Sequence, residues 1–215
     1  AVNKPRGIVC TTSDKDQAEN IVEFLNYPQR IYPVGRLDKD SEGLLLMTNQ
    51  GDIVNKILRG GNNHEKEYAV AVNHPVTEEF LQKMREGVWI EDLAVKTKPC
   101  KAWKTGPYTF HIILTQGLNR QIRRMCEAVG LDVIRLRRSA LGAVKLGMLQ
   151  PGQYRELTSQ EVTALRTAAS RGKATATIAK NTAANAARRT AAGPHGPRAP
   201  KGAVAARKKR GGNRG

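Results

Sequence analysis

Gly35-Arg36-Leu37-Asp38-Lys39-Asp40-Ser41-Glu42-Gly43-Leu44 is the stretch on which the reading of this chain turns. Acids stand at positions 38, 40 and 42, and Gly43 closes the run. Leu44-Leu45-Leu46-Met47-Thr48 follows, a continuous run of strand length that predicts a buried central strand. The spacing Asp-x-Asp-x-Glu-Gly invites comparison with a calcium loop. That pattern needs a bidentate Glu at loop position 12. Counting from Asp38, the residue there is Asn49, and no helices are expected to flank the loop. The acids taken alone read as a solvated turn.

Working outward, the pattern is mixed α/β with strands dominant. Strands are expected at Ile8–Thr12, Glu67–Val72, Val88–Val95, Tyr108–Thr115 and Asp132–Leu136. Helices are expected at Gln17–Leu25 with Asp16 as N-cap, and at Asp52–Arg59 closed by Gly60-Gly61. Two more are expected at Glu78–Glu86, between Thr77 and Gly87, and at Asn119–Val129 before Gly130. Pro151-Gly152 reads as a turn, and Thr158-Ser159-Gln160-Glu161 as a capping box opening a last helix. The order is not a strict strand–helix alternation. An α+β fold with a mostly antiparallel mixed sheet flanked by helices is therefore expected.

The chain has 215 residues and a net charge of +17. Residues 166–215 hold 13 Lys and Arg and no Asp or Glu. Large apolar residues nearly vanish there, so the segment cannot bury enough surface to offset its ordering entropy. The expected organisation is a folded domain over residues 1–165 and a disordered basic tail over 166–215. Such a charge suits a polyanionic partner. No run approaches the roughly eighteen apolar residues of a membrane span, so nucleic acid is the better partner. Cys10, Cys100 and Cys126 are odd in number and lack Cys-x-x-Cys spacing, which argues against disulfides and zinc. No signal peptide is read, and a cytoplasmic location is expected.

Two further blocks carry chemistry. In His64-Glu65-Lys66-Glu67-Tyr68, the tyrosine would share a strand face with Val70 and Val72, as a core residue or at the edge of a site. In Gln116-Gly117-Leu118-Asn119-Arg120-Gln121-Ile122-Arg123-Arg124-Met125-Cys126, the residues Ile122, Met125, Cys126 and Val129 form one apolar stripe. Arg120 and Arg124 point almost opposite to it, and Arg123 lies on its shoulder. His64, His74, His111 and His195 show no ligand-like spacing and read as surface or loop residues. Trp89 and Trp103 read as packing residues.

Together, Gly35-Arg36-Leu37-Asp38 with Glu42-Gly43-Leu44-Leu45, the Lys66-x-Tyr68 block and the Gln121-Ile122-Arg123 block resemble the pseudouridine synthases, specifically the bacterial branch that modifies ribosomal RNA. Asn55-Lys56-Ile57-Leu58 and the run from Gly61 to Tyr68 are most similar to the F-type synthases that act on large-subunit RNA. Pro151 to Thr158 looks like the closing strand of these enzymes. The resemblance spans roughly residues 3–165. It implies the pseudouridine synthase fold and an isomerase that converts a specific uridine, expected in 23S rRNA, to pseudouridine.

In that family the Asp of Arg-Leu-Asp is the essential carboxylate, here Asp38. Tyr68 would stand beside it against the target base, and Arg123 would pair with it. Arg36 would fill the space vacated by the flipped base. Lys39, Arg120 and Arg124 would contact RNA phosphates. The reaction breaks the N1–C1′ bond and rejoins the base through C5, so no cofactor or metal is required in principle. The expected partner is a structured rRNA hairpin, met by a monomer. The family usually carries a small S4 RNA-binding domain ahead of the catalytic domain, and none is read here. The competing reading is a noncatalytic RNA-binding or ribosome-assembly protein on the same fold. Such a protein would be free to lose Asp38, Tyr68 or Arg123, and all three are present.

Overall fold

The computed structural model of the protein describes residues 1–11, 18–51, 54 and 64–168. The main sheet contains β1 (Val2–Lys4), β2 (Tyr32–Val34), β3 (Glu42–Thr48), β4 (Lys66–Val72), β7 (Lys101–Gly106), β8 (Thr109–Leu114), β9 (Val133–Leu141) and β10 (Val144–Lys145). Its path is β1-β3-β9-β4-β8-β7, with β2 paired to β3 and β10 to β9. β5 (Trp89–Ile90) and β6 (Val95–Lys96) form a separate two-stranded ribbon. Every pairing is antiparallel except β3 with β9, which run parallel through Glu42↔Arg137 and Gly43↔Arg138. The expected α+β class with a mostly antiparallel mixed sheet is the observed one.

Three helices precede the C-terminal one among the elements with described bounds: α1 (Ile21–Leu25), α2 (Glu78–Glu86) and α3 (Gln121–Ala128). Phe80, Leu81 and Met84 of α2 and Ile122, Met125 and Cys126 of α3 pack on Val70, Val72, Phe110, Ile112 and Leu114 of the sheet. Phe80 meets Phe110 edge-on, with ring centroids 5.2 Å apart. Each side chain buried in this way stabilises the fold by about 1.5–3 kcal/mol. The predicted α3 stripe is the one that is buried, and burial pushes the Cys126 thiol up to about 12. A smaller cluster, Val2, Ile8, Ile21, Leu37 and Leu45, lies behind the acidic loop.

Several boundaries differ from expectation. Of the expected strand at Ile8–Thr12, the described residues form a single bridge, Val9↔Asn20. Val9 donates to Glu19 O at 3.1 Å and accepts from Ile21 N at 2.9 Å, which holds residues 19 and 20 extended. Helix α1 therefore begins after Asn20, whose Oδ1 accepts from Val22 N and Glu23 N. The expected cap, Asp16, lies outside the described residues, as does most of the helix expected over 52–59; Val54 is helical. Residues 88–95 do not form one strand. A 3-10 turn at Glu91–Leu93, with Ala94 left-handed, folds them into the β5–β6 ribbon.

β1 and β7 escape a reading from local pattern. β7 is rich in lysine and short of bulky apolar residues, yet the Pro107–Tyr108 turn folds it back on β8. β9 continues to Leu141 through Arg135, Arg137 and Arg138, charges that mask a strand until their partners are known. The expected closing strand over 151–158 is one bridge, Val2↔Tyr154. The capping box is present: Glu161 N donates to Thr158 Oγ1, and Thr158 N to Glu161 Oε2. The helix it opens spans residues 159–168, past the expected boundary at 165, and its own Leu165 is buried. The remainder of the expected tail, 169–215, lies outside the described residues. No helix among the described residues is long and apolar enough to cross a membrane.

Candidate active site and RNA-facing cleft

Asp38 stands on a tight turn between β2 and β3. Gly35 turns the chain with φ +84°, and Ser41 N donates to Asp38 O at 3.0 Å. Leu37 is buried and anchors the turn in the cluster behind it. Gly7 N donates to Lys39 O at 2.8 Å, and Leu37 N to the Cys10 thiol at 3.4 Å. From below, wholly buried Lys4 donates to Ser41 O at 2.8 Å and Pro5 O at 2.9 Å. Burial lowers the pKa of the Lys4 ammonium, opposed by the charges of Cys10, Asp40, Asp38 and Glu42. The loop exits through Gly43 at φ +104°. A Cβ there would stand 2.4 Å from Arg138 O and 2.7 Å from Arg138 N.

In front of the turn is an open cleft of about 880 Å³. Its lining includes Arg6, Cys10, Arg36, Asp38, Lys39, Asp40 and Arg120. The Asp38 side chain is 32% exposed. Arg6, Arg36 and Lys39 make no ion pair among the described residues, whereas Arg120 and Arg124 do. Four cations against two carboxylates make the cleft suited to a polyanion.

The arginines of α3 are placed differently from the expectation. Arg123 does not pair with Asp38. Its Nη2 lies 3.2 Å from Asp40 Oδ2 and donates to Asp40 O, also at 3.2 Å. Its Nη1 donates to Val133 O at 3.0 Å, which aims the guanidinium at the far arm of the turn. Arg120, left-handed at φ +48°, donates to both Asp40 oxygens at 3.3 and 3.4 Å and lies 4.0 Å from Asp38 Oδ2. Asp40 is thus a paired carboxylate, not the solvated acid expected. Burial alone would raise it. The Arg120 hydrogen bond and the charges of Arg123 and Arg120 hold it below the ordinary carboxylate value. Glu42 is also paired, with Arg135 at 2.6 Å. Arg124 is engaged by Asp92 and Asn119.

Tyr68 lies mid-sheet on β4, with Arg138 as its partner on β9 and Ile112 on β8. It packs against both the helix-covered core and the cluster containing Leu37. It shares a face with Val70 and Val72 as expected, but it is not among the residues that line the cleft. His111 lies on β8, within the expected strand, its Nδ1 2.9 Å from Glu67 Oε1. Trp89 and Trp103 are exposed. The sequence reading missed Lys4, Arg6 and Cys10. Lys4-Pro5-Arg6-Gly7 offered a weak signal, a charged turn just before an apolar run, whereas the role of Cys10 depends on a contact 27 residues away.

The family model described as RNA pseudouridylate synthase matches residues 1–128. The chain belongs to that family. The dual-specificity RNA pseudouridine synthase RluF of Escherichia coli K12 is 54% identical over 162 residues, which are 75% of this chain and 55% of the relative. The ribosomal large subunit pseudouridine synthase B of Bacillus subtilis is 39% identical, covering 79% of this chain and 72% of the relative. A crystal structure of a pseudouridylate synthase superposes with a TM-score of 0.71 at 34% identity, over 76% of this chain and 71% of the other. The pseudouridine synthase fold and the resemblance to the F type both agree with these matches. The chain spans about 55% of the length of the RluF relative.

Proposed function

We propose that this family member isomerises a specific uridine in ribosomal RNA, most simply in 23S rRNA, to pseudouridine with Asp38 as the catalytic carboxylate. The observation that carries the reading is Asp38 itself. It stands on a turn braced from behind and faces an open cleft whose other charges include three cations without ion pairs among the described residues. The activities that the relatives are named for support the same reading.

The base must leave its stack to be rotated and rejoined through C5, so the uridine is taken flipped out. A carboxylate at C1′ supplies either a nucleophile for the electron-poor sugar carbon or a base for a sugar proton. Tyr68 is assigned to the target base, supported by its place against the Leu37 cluster beside Asp38. Arg123 is assigned to the support of the catalytic turn. Arg36 enters the space the base vacates, and Lys39, Arg120 and Arg124 take phosphates, Arg124 by exchange from Asp92. Arg6 joins them, since it lines the same cleft. The substrate is a structured hairpin and the enzyme acts as a cytoplasmic monomer.

Asp38→Asn is the decisive variant. Tritium release from RNA labelled at uridine C5 is expected to fall by about a thousandfold or more, with RNA affinity within about threefold of wild type. Substantial turnover by Asp38→Asn would overturn the assignment. Pseudouridine mapping in a deletion strain is expected to show a site lost from 23S rRNA; an unchanged map would overturn the function.

A further inference from the structure

We infer that the β5–β6 ribbon is a second RNA-contact surface, where Lys96 and Lys98 take backbone phosphates and Trp89 stacks on a nucleotide flanking the flipped uridine. This rests on the proposed function. The charge pattern is the first observation. From Leu93 to Cys126 the chain holds seven Lys and Arg and no Asp or Glu. Three of the seven are Arg120, Arg123 and Arg124, and Lys96 and Lys98 open the run. The acids just before it are both engaged. Glu91 Oε2 accepts from the Trp89 indole Nε1 at 2.6 Å, and Asp92 pairs with Arg124. Lys96 and Lys98 are exposed, and neither makes an ion pair among the described residues. The charge left uncompensated on the ribbon is therefore positive.

Placement is the second observation. Two ties join the ribbon to the start of α3. Arg124 reaches Asp92, and Lys98 N donates to Gln116 Oε1 at 2.9 Å in the loop ahead of the helix. Gln116 Oε1 also accepts from Gln121 Nε2 at 3.4 Å, so loop, helix and ribbon share one join. Ile90 of the ribbon is buried in the same core as Ile122 and Met125. Arg120 lines the cleft, and Arg124 is its neighbour one helical turn along. Positive surface thus continues from Arg120 through Arg124 to Lys98 and Lys96, and the carboxylates beside those arginines, Asp40 and Asp92, are paired. Trp89 stands directly across the ribbon from Lys96. It is 52% exposed and makes no ring contact among the described residues. Its bond to Glu91 orders the indole in advance, which lowers the entropy lost on binding. Cations along a backbone beside an aromatic platform suit RNA bound with little regard to sequence.

The test measures kcat and KM for tritium release from 23S rRNA transcribed in vitro with uridine tritiated at C5, using the full chain at several salt concentrations. Lys96→Gln with Lys98→Gln is expected to lower kcat/KM about five- to twentyfold through KM, and to make its log–log salt slope shallower by about 1.5, as for two lost phosphate contacts. Lys96→Arg with Lys98→Arg keeps both charges and is expected to stay within about twofold of wild type. Trp89→Ala is expected to lose about fivefold or more in kcat/KM with the slope unchanged, and Trp89→Phe to recover most of it. Lys83→Gln with Lys145→Gln removes the same charge from α2 and β10, outside the cleft lining, and is expected to leave the slope as it is. An unchanged kcat/KM in the Lys96/Lys98 glutamine variant or in Trp89→Ala overturns the proposal, as does a slope change in the Lys83/Lys145 variant equal to that at the ribbon. A defect confined to ribosomal particles and absent on naked rRNA assigns the ribbon to a protein partner and overturns it too. Wild type that releases no tritium from any rRNA overturns the function itself, an outcome distinct from an indifferent ribbon in an active enzyme.

Discussion

At the scale of single residues, Gly43 shows how closely the turn that carries Asp38 is fitted to the sheet. Its φ of +104° is one an L side chain rarely adopts, and the missing Cβ would strike the backbone of Arg138. No rotamer change relieves a contact with backbone, so β3 and β9 would have to part where they run parallel. Gly43→Ala is expected to lower stability by at least about 2 kcal/mol. Urea unfolding of the variant checks this, and a midpoint equal to wild type would show that the strands shift freely. The same scale holds the main surprise of the site. Asp38 and Arg123 both stand out in their motifs, but their separation is set by Val133 O and by Asp40, residues that no local pattern links to them.

At the scale of elements, the helix over 159–168 is fastened by Glu161. Its oxygens accept from Arg155 Nη1 and Nη2 at 2.8 and 2.7 Å and cap Thr158 N. Arg155 reaches back to Lys145 O, so one carboxylate joins the helix to the sheet edge at β10. The hydrogen bond from Arg155, with those of Thr158, brings the Glu161 carboxyl down from 4.5 to about 2. A carboxyl depressed on folding stabilises above its unfolded pKa, and that stability is lost as pH falls through the folded value. Here the loss runs from about pH 4.5 to about pH 2. Thermal melts of Glu161→Gln are expected to show a lower midpoint at pH 7 and to converge on wild type across that window. Parallel curves at all pH values would mean that the charge of Glu161 does not hold the helix. The elements themselves divide by how their information is stored. Helix α2, with its Thr77 cap and Gly87 stop, is legible with correct bounds because caps and a 3.6-residue stripe are local. β7 and the arginine-rich half of β9 are not, because their pairing partners lie elsewhere in the chain.

At the scale of the whole molecule, positive charge sits in two places, the cleft and residues 166–215. The second holds 13 Lys and Arg without an acid. A chain ended after residue 168 keeps the C-terminal helix and buried Leu165. Its RNA affinity is expected to be weaker, with a shallower slope of log K against log salt, because fewer counterions are released. Turnover at saturating RNA is expected to persist. Binding titrations at several salt concentrations and a saturating tritium-release assay check both halves, and loss of turnover would place essential chemistry beyond residue 168.

The sequence by itself determined the fold class, the central strand after Gly43, the buried stripe of α3 and the candidacy of Asp38. Each of these rests on short-range periodicity, on a turn or on a contiguous motif. The tertiary structure alone decided that Arg123 meets Asp40 rather than Asp38. It also placed Lys4 beneath the turn and gathered Arg6, Arg36 and Lys39 into one cleft. Those outcomes depend on which distant carbonyls and carboxylates the sheet brings within about 3 Å, the range in which hydrogen bonds form. Spacing along a chain carries no record of that distance.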